Sequence, residues 1–595
     1  MQAIKLDPSS PWGYDKKHAA LHGLQRYDEA IATFADMLSR IERSAEQDIR
    51  QLSKKYISPS RTEKVIEDVI SGVSKKSPLV LLDVQNGRLC KGAERLRIFK
   101  LETQWKELIS SVTEELDDRR IKQVVEQYFR YVTLSHVWQG EDDPSYQDVE
   151  RAESVDKLGS SPLNEKLRKF CQVVYKDGYR WAWSDTCCID KTNSSVLSES
   201  LKSMYKWYQA SAATFVLLAD VESSSAVGGL TGSKWMRRAW TSQELLAPKV
   251  IRFFTRGWQP YLGDTQSNHK KSPEIMQELV DAIGIARQTI ITFNPNNLTA
   301  REKLRLASTR EAFKEEDLAY SLIGIFQSYI HPGYGEGDAA LGRLLEEIVA
   351  RDEVTVLDWA GKSSSSYNSC VPNTLAVYSQ PPGPSPAMND AEMDVRVAAL
   401  KDSLSKTDVI DIHGQIARLP PVSFSQSRLR LPCIIFTVET LKPQDCGSDL
   451  EGCYQASVSG IGNVVFQTSD NLSLKEPRRL IFVHPWIHDL LDPFDGFAWG
   501  STADNANDGE LDAGTGTGVR TTSSAHGPPA TTMDEYTRAL RLVARLQQPF
   551  HVLLLQKQSK YLYKRVAAEH KIVVQGIDRS INFARHIHAD VKHIM

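Results

Sequence analysis

Tyr131-Val-Thr-Leu-Ser135, Trp181-Ala-Trp-Ser-Asp185, Thr214-Phe-Val-Leu-Leu218 and Val250-Ile-Arg-Phe-Phe254 are four short apolar runs within residues 131–258. Amphipathic stretches lie between them. Ser161-Pro162 sets a capping hydroxyl before a proline at the first helical position. Leu163, Leu167, Phe170, Cys171 and Val174 follow at helical spacing, and Gly178 stops that helix. A second helix carries Leu197, Leu201, Met204, Tyr205 and Tyr208. A third is read over 235–246, ended by Pro248. The unbroken apolar run at 214–218 fits a strand covered on both faces. Alternation of strand and helix predicts an α/β fold, a mostly parallel sheet flanked by helices.

The flanking sequence reads differently. Residues 1–42 suit a helical hairpin: Tyr27, Ile31 and Phe34 share a face, and Gly23 and Ala30 permit close crossing. This stretch resembles one tetratricopeptide (TPR) unit, although about three repeats are normally needed to bury a core. Residues 43–125 form a helical and mixed lead-in, with a strand expected at 78–83. A helical extension is expected over 261–365 and a β-rich region over 366–500, with strands at 431–436 and 480–483. Residues 501–532 are Gly-, Ser-, Thr- and Asp-rich and read as a disordered linker. Residues 533–595 are expected to pack as a tail on the β-rich region.

The 595 residues are 41% apolar and 25% charged, a globular balance that excludes a wholly disordered chain, a collagen-like repeat and a coiled coil. With 72 Lys plus Arg against 75 Asp plus Glu, the net charge is −3, which carries no bias toward nucleic acid. No apolar run reaches the ~20 residues of a membrane span. The eight cysteines are irregularly spaced with no CxxC pair, so no metal site is expected. They are expected to be free thiols of an intracellular, cytoplasmic protein.

Open α/β sheets bind ligands beyond the carboxyl ends of their strands. Three of these ends are polar: Ser135-His136 followed by Trp138; Asp185-Thr-Cys-Cys-Ile-Asp190; and Asp220 after Leu218-Ala219. The third helix adds Arg237, Arg238, Trp240 and Glu244. Trp240 and Glu244, four apart, share one helix face. A carboxylate beside an aromatic ring is partly desolvated, which suits a general base or stabilisation of a cationic transition state. Each residue also has a structural reading. Asp185 and Asp190 suit loop caps, Cys187 and Cys188 packing thiols, His136 a loop hydrogen bond, and Trp138 and Trp240 plain core. Glu244 also suits a pair with Arg237 or with an arginine from another element.

The blocks Leu134-Ser-His-Val-Trp138, Trp183-Ser-Asp-Thr-Cys-Cys-Ile-Asp-Lys191, Ser203-Met-Tyr-Lys-Trp-Tyr208, Leu217-Leu-Ala-Asp-Val221 and Arg238-Ala-Trp-Thr-Ser-Gln-Glu-Leu-Leu-Ala-Pro248 occur in order. Together they resemble the HET (heterokaryon incompatibility) domain of filamentous fungi, over about 126–260. Ser308-Thr-Arg310, Glu316-Asp317-Leu-Ala-Tyr320-Ser-Leu-Ile-Gly324 and Tyr334-Gly-Glu-Gly337 resemble the segment that often follows it. Ser184, Gln139 and Arg238-Ala239 depart from the usual pattern without leaving their elements.

The resemblance implies a role in nonself recognition and programmed cell death, acting on other proteins or through self-association, with no cofactor. HET domains also look like distant relatives of TIR domains, which implies a TIR-like, flavodoxin-like sheet. Some TIR domains cleave NAD with a glutamate on a corresponding helix. By that analogy Glu244 is the catalytic carboxylate and NAD the substrate. Ser135, His136, Trp138, Asp185, Asp190, Trp240 and Arg237 then line the substrate site. The remaining alternative is a non-enzymatic adaptor that docks partners with its TPR-like start.

Overall fold

A computed structural model describes residues 4, 7, 10–138, 143–351, 354–361, 364–384, 388–444, 452–486, 534–577 and 588–595. The linker expected at 501–532 lies outside the described residues. The chain divides into two compact units, Met1–Gly337 and Asp338–Met595.

The first unit is built on a six-stranded sheet of β1 (Val80–Asp83), β2 (Arg88–Lys91), β3 (Tyr131–His136), β4 (Trp181–Trp183), β5 (Ala213–Leu218) and β6 (Ile251–Thr255). Its order is β2-β1-β4-β3-β5-β6. The last four strands of that order are parallel. The β1–β2 hairpin joins β4 antiparallel, so the sheet is mixed and draws on the lead-in region. Every residue of β3, β4 and β5 is buried, which is why these runs lack alternation. Two of the polar exceptions satisfy each other: Thr133 and Thr214 hydroxyls lie 2.7 Å apart across β3 and β5.

At the N-terminal side, α1 (Pro11–Gly23) and α2 (Tyr27–Arg43) form the expected helical pair. Ala30, Phe34, Met37 and Ile41 are buried, whereas Gly23 is exposed and takes no part in a close crossing. His18 Nε2 lies 3.0 Å from the Ser110 carbonyl, fixing the pair on the helix Thr103–Ser111.

Two connecting helices follow their sequence signals closely. In α3 (Pro162–Lys176) the Ser161 hydroxyl accepts from Asn164 N at 3.1 Å, and Gly178 follows at φ 79°. In α4 (Ser194–Ala210) the Asn193 carboxamide caps Ser195 and Val196. The third helix departs from expectation. Residues 234–237 make one turn, Arg238 is extended, and α5 runs only from Thr241 to Leu246. The break has a cause: Ala239 N donates to Glu311 O (2.8 Å), and Glu311 N donates to Arg237 O (2.6 Å). Those backbone groups are therefore unavailable to a continuous helix.

The second unit holds a nine-stranded sheet. Arg428–Pro443 pairs antiparallel with Leu480–Pro485 and with His588–Ile594. Phe550–Lys557 and Leu562–Val566 complete a closed ring of five strands. The described strands after residue 533 thus belong to this sheet, where a tail packed on the β-rich region was expected. Helices Asp390–Lys401, Lys406–Ala417 and Glu535–Leu546 contribute to its core, so the region expected to be β-rich also carries two helices. Six cysteines are buried free thiols, but Cys453 is disulfide-bonded, which corrects the expectation that all are free.

Candidate functional site

The carboxyl ends of β3 and β4 and the start of α5 meet at one cavity of about 370 Å³. Ser135, the penultimate residue of β3, donates its hydroxyl proton to Glu244 Oε2. Trp235 Nε1 donates in turn to Ser135 Oγ at 2.7 Å. Glu244 is 3% exposed and lines the cavity. Burial, followed by the negative charge of Asp185, raises its carboxyl to about 8, against smaller lowering effects of Ser135, Arg310 and Arg238.

Asp185 follows the end of β4. Its Oδ2 accepts from Trp138 Nε1 at 2.8 Å, and its Oδ1 lies 3.5 Å from His136 Nε2. Burial opposes ionisation of Asp185, but the nearby His136 ring, with Lys191 and the hydrogen bond from Trp138, holds its carboxyl below the ordinary value. His136 Nδ1 lies 3.0 Å from Lys166 Nζ, and Lys166 pairs with Asp143. The two buried carboxyls therefore have opposed tendencies, Asp185 ionised and Glu244 protonated near neutrality, a division of labour suited to acid–base chemistry.

His136, Trp138, Asp185, Trp240 and Glu244 all line the cavity. Ser135 reaches it through Glu244. Two expected residues do not join them. Arg237 is exposed, and Arg238 lines the wall in its place. Asp190 spends its carboxylate on Thr192 N (3.0 Å), Thr192 Oγ1 (2.6 Å) and Gln147 Nε2 (2.6 Å), which is the capping reading. Cys187 and Cys188 are buried packing thiols. The ionic partner considered for Glu244 is replaced by a serine.

Sequence reasoning missed the residues beyond 300. Arg310 is buried and donates to Arg238 O (3.1 Å) and Thr241 Oγ1 (2.6 Å), fixing the entry to α5. Buried Lys270 holds the other end, donating to Pro248 O at 2.6 Å and Ile290 O at 3.2 Å. Phe313, Lys314, Asp317 and Tyr334 complete the wall. Burial raises the carboxyl of Asp317, against the hydrogen bonds of Tyr334 and Trp240. The blocks at 308–310, 316–324 and 334–337 were their sequence signal. Among the described residues no group of His, Cys, Asp and Glu is arranged to hold a metal ion. Nor is any helix long and apolar enough to cross a membrane.

The family model described as heterokaryon incompatibility protein (HET) matches residues 131–231. The vegetative incompatibility protein HET-E-1 of Podospora anserina is 35% identical over 228 residues, which is 37% of this chain and 16% of that protein. No solved structure matches. The matched segment contains Ser135, His136, Trp138 and Asp185, whereas Glu244 and the rim lie beyond it. The likeness to the HET family is therefore carried by residues 131–231, and the chain spans only a small part of the length of the relative it matches.

Proposed function

We propose that this chain is an incompatibility-type effector of fungal nonself recognition that triggers cell death through its HET domain. The identity to a vegetative incompatibility protein over 228 residues carries the reading. Self-association and docking through the TPR-like helices belong to the same proposal. Induced expression of the full chain in a filamentous fungus tests it by viability. Death within hours of induction is expected; normal growth at high protein abundance contradicts it.

A second reading, hydrolysis of NAD, is favoured by the shared cavity of Glu244, Asp185 and Trp240, with Ser135 bonded to Glu244. The parallel strands run β4-β3-β5-β6, a 2-1-3-4 order that opens like the flavodoxin-like sheet and supports TIR-like kinship. A positively charged nicotinamide ring entering the cavity favours ionised Glu244. That carboxylate then faces the developing oxocarbenium ion, as in glycoside hydrolysis. Water adds at the anomeric carbon, the C–N bond breaks with its electron pair leaving on nicotinamide, and one proton is released. Purified full chain should liberate nicotinamide from NAD, and Glu244→Gln should abolish this, read by chromatography. Equal release by the variant, or none by either protein, removes the enzymatic reading and leaves the effector role.

A further inference from the structure

Beside the acids the cavity wall carries cations held on aromatic rings, and those rings themselves bond the acids, Trp138 to Asp185 and Tyr334 to Asp317. Lys191 Nζ lies 3.7 Å from the Trp138 ring centroid, and Lys314 Nζ 4.0 Å from that of Tyr334. Among the described residues neither ammonium forms an ion pair within 4.0 Å. An ammonium held by a ring face keeps donors available for an anion, and phosphate is an anion that such charge-assisted bonds hold. Half-buried Arg238 adds a third cation to the wall. Phe313, 88% exposed at the rim, offers an apolar cover for a flat ring.

The acids leave hydrogen-bonding capacity unspent. His136 Nε2 and Asp185 Oδ1 face each other at 3.5 Å, both buried and neither completing a hydrogen bond. Since Lys166 supplies only donors, His136 Nδ1 accepts and Nε2 carries the proton. A hydroxyl set against this pair accepts from Nε2 and donates to Oδ1. The volume, about 370 Å³, sits at the small end of ligand pockets, roughly 300–1,000 Å³. It holds one sugar phosphate with its ring attached, so the remaining half of a dinucleotide would extend outside it.

Resting on the reading of this cavity as the reaction centre, we propose that it is a ribosyl-phosphate site. Lys191 and Lys314 grip the phosphate at the mouth, His136 and Asp185 take a sugar hydroxyl, and Phe313 covers the base. These subsites set selectivity separately from bond cleavage by Glu244.

Calorimetric titration of the full chain carrying Glu244→Gln, which leaves ligands intact, tests this. The probes are nicotinamide mononucleotide, AMP, ribose 5-phosphate and inorganic phosphate, against nicotinamide riboside and adenosine. The phosphorylated nucleotides should bind at least about tenfold more tightly than the nucleosides, the effect of one charge-assisted hydrogen bond. Lys191→Ala with Lys314→Ala should erase that gap and keep nucleoside binding, whereas Lys206→Ala, on an exposed face of α4, should preserve it. Ribose 5-phosphate binding as tightly as the nucleotides identifies a sugar phosphate as the ligand; weaker binding identifies a nucleotide. Equal affinity for phosphorylated and unphosphorylated probes, a gap that survives the double substitution, or no binding overturns the proposal. Because cleavage is absent in this background, failure of the hydrolysis reading registers elsewhere, in nicotinamide release by the unsubstituted chain.

Discussion

Glu244 concentrates the physical tension of the site. Its carboxyl is raised to about 8 by burial and by Asp185, from an ordinary value of 4.5. The folded chain therefore holds a proton that the unfolded chain releases between pH 4.5 and 8. Its contribution to stability is fully present below 4.5 and is lost as pH rises through 8. Glu244→Gln keeps the shape and removes the titration. Denaturant midpoints measured from pH 5 to 9 should fall less steeply for the variant, with its advantage greatest at pH 8 and above. Ser135→Ala removes both the donor to Glu244 and the acceptor of Trp235, and should cost about 1–3 kcal/mol in the same assay. These pairings were legible only in part. Polar strand ends marked Ser135, His136 and Asp185, but nothing in one-dimensional spacing showed that Trp235, 100 residues away, bonds to Ser135. Nor did it separate Asp185, which faces the cavity, from Asp190, which caps a turn.

At the scale of elements, the four parallel strands and α3 and α4 were readable because burial dictates apolar runs and caps announce helix starts. The helix read over 235–246 failed for a tertiary reason: Glu311 takes backbone groups that a continuous helix needs. Gly324 has a packing role that its place in the block 316–324 does not reveal. It lies in the helix Ile323–Phe326, where an added Cβ would sit 2.1 Å from Tyr205 Cβ. That contact sets how closely the segment after 300 approaches α4, and hence the cavity wall carrying Met204. Gly324→Ala should destabilise the first unit by about 1–3 kcal/mol through overpacking. Thermal unfolding checks this, and an unchanged midpoint would show that the two helices separate freely.

At the scale of the whole molecule, the matched family segment stops at 231, but the first unit runs to Gly337. Arg310, Asp317 and Tyr334 come from its last stretch, which sequence reading had assigned to a separate extension. The closed ring of strands in the second unit was equally hidden, because pairing of 428–443 with 588–594 is a long-range contact without a local signature. A fragment of residues 1–337 should therefore fold with its cavity intact, whereas one ending at 260 should not. Infrared difference titration of the Glu244 carboxyl, each protein against its own Glu244→Gln variant, tests directly whether the buried centre exists as described. In the full chain and in 1–337 the carboxyl should titrate near pH 8, and Asp185→Asn should lower that midpoint. An ordinary midpoint near 4.5, indifferent to Asp185, would contradict the shared cavity on which the functional reading depends.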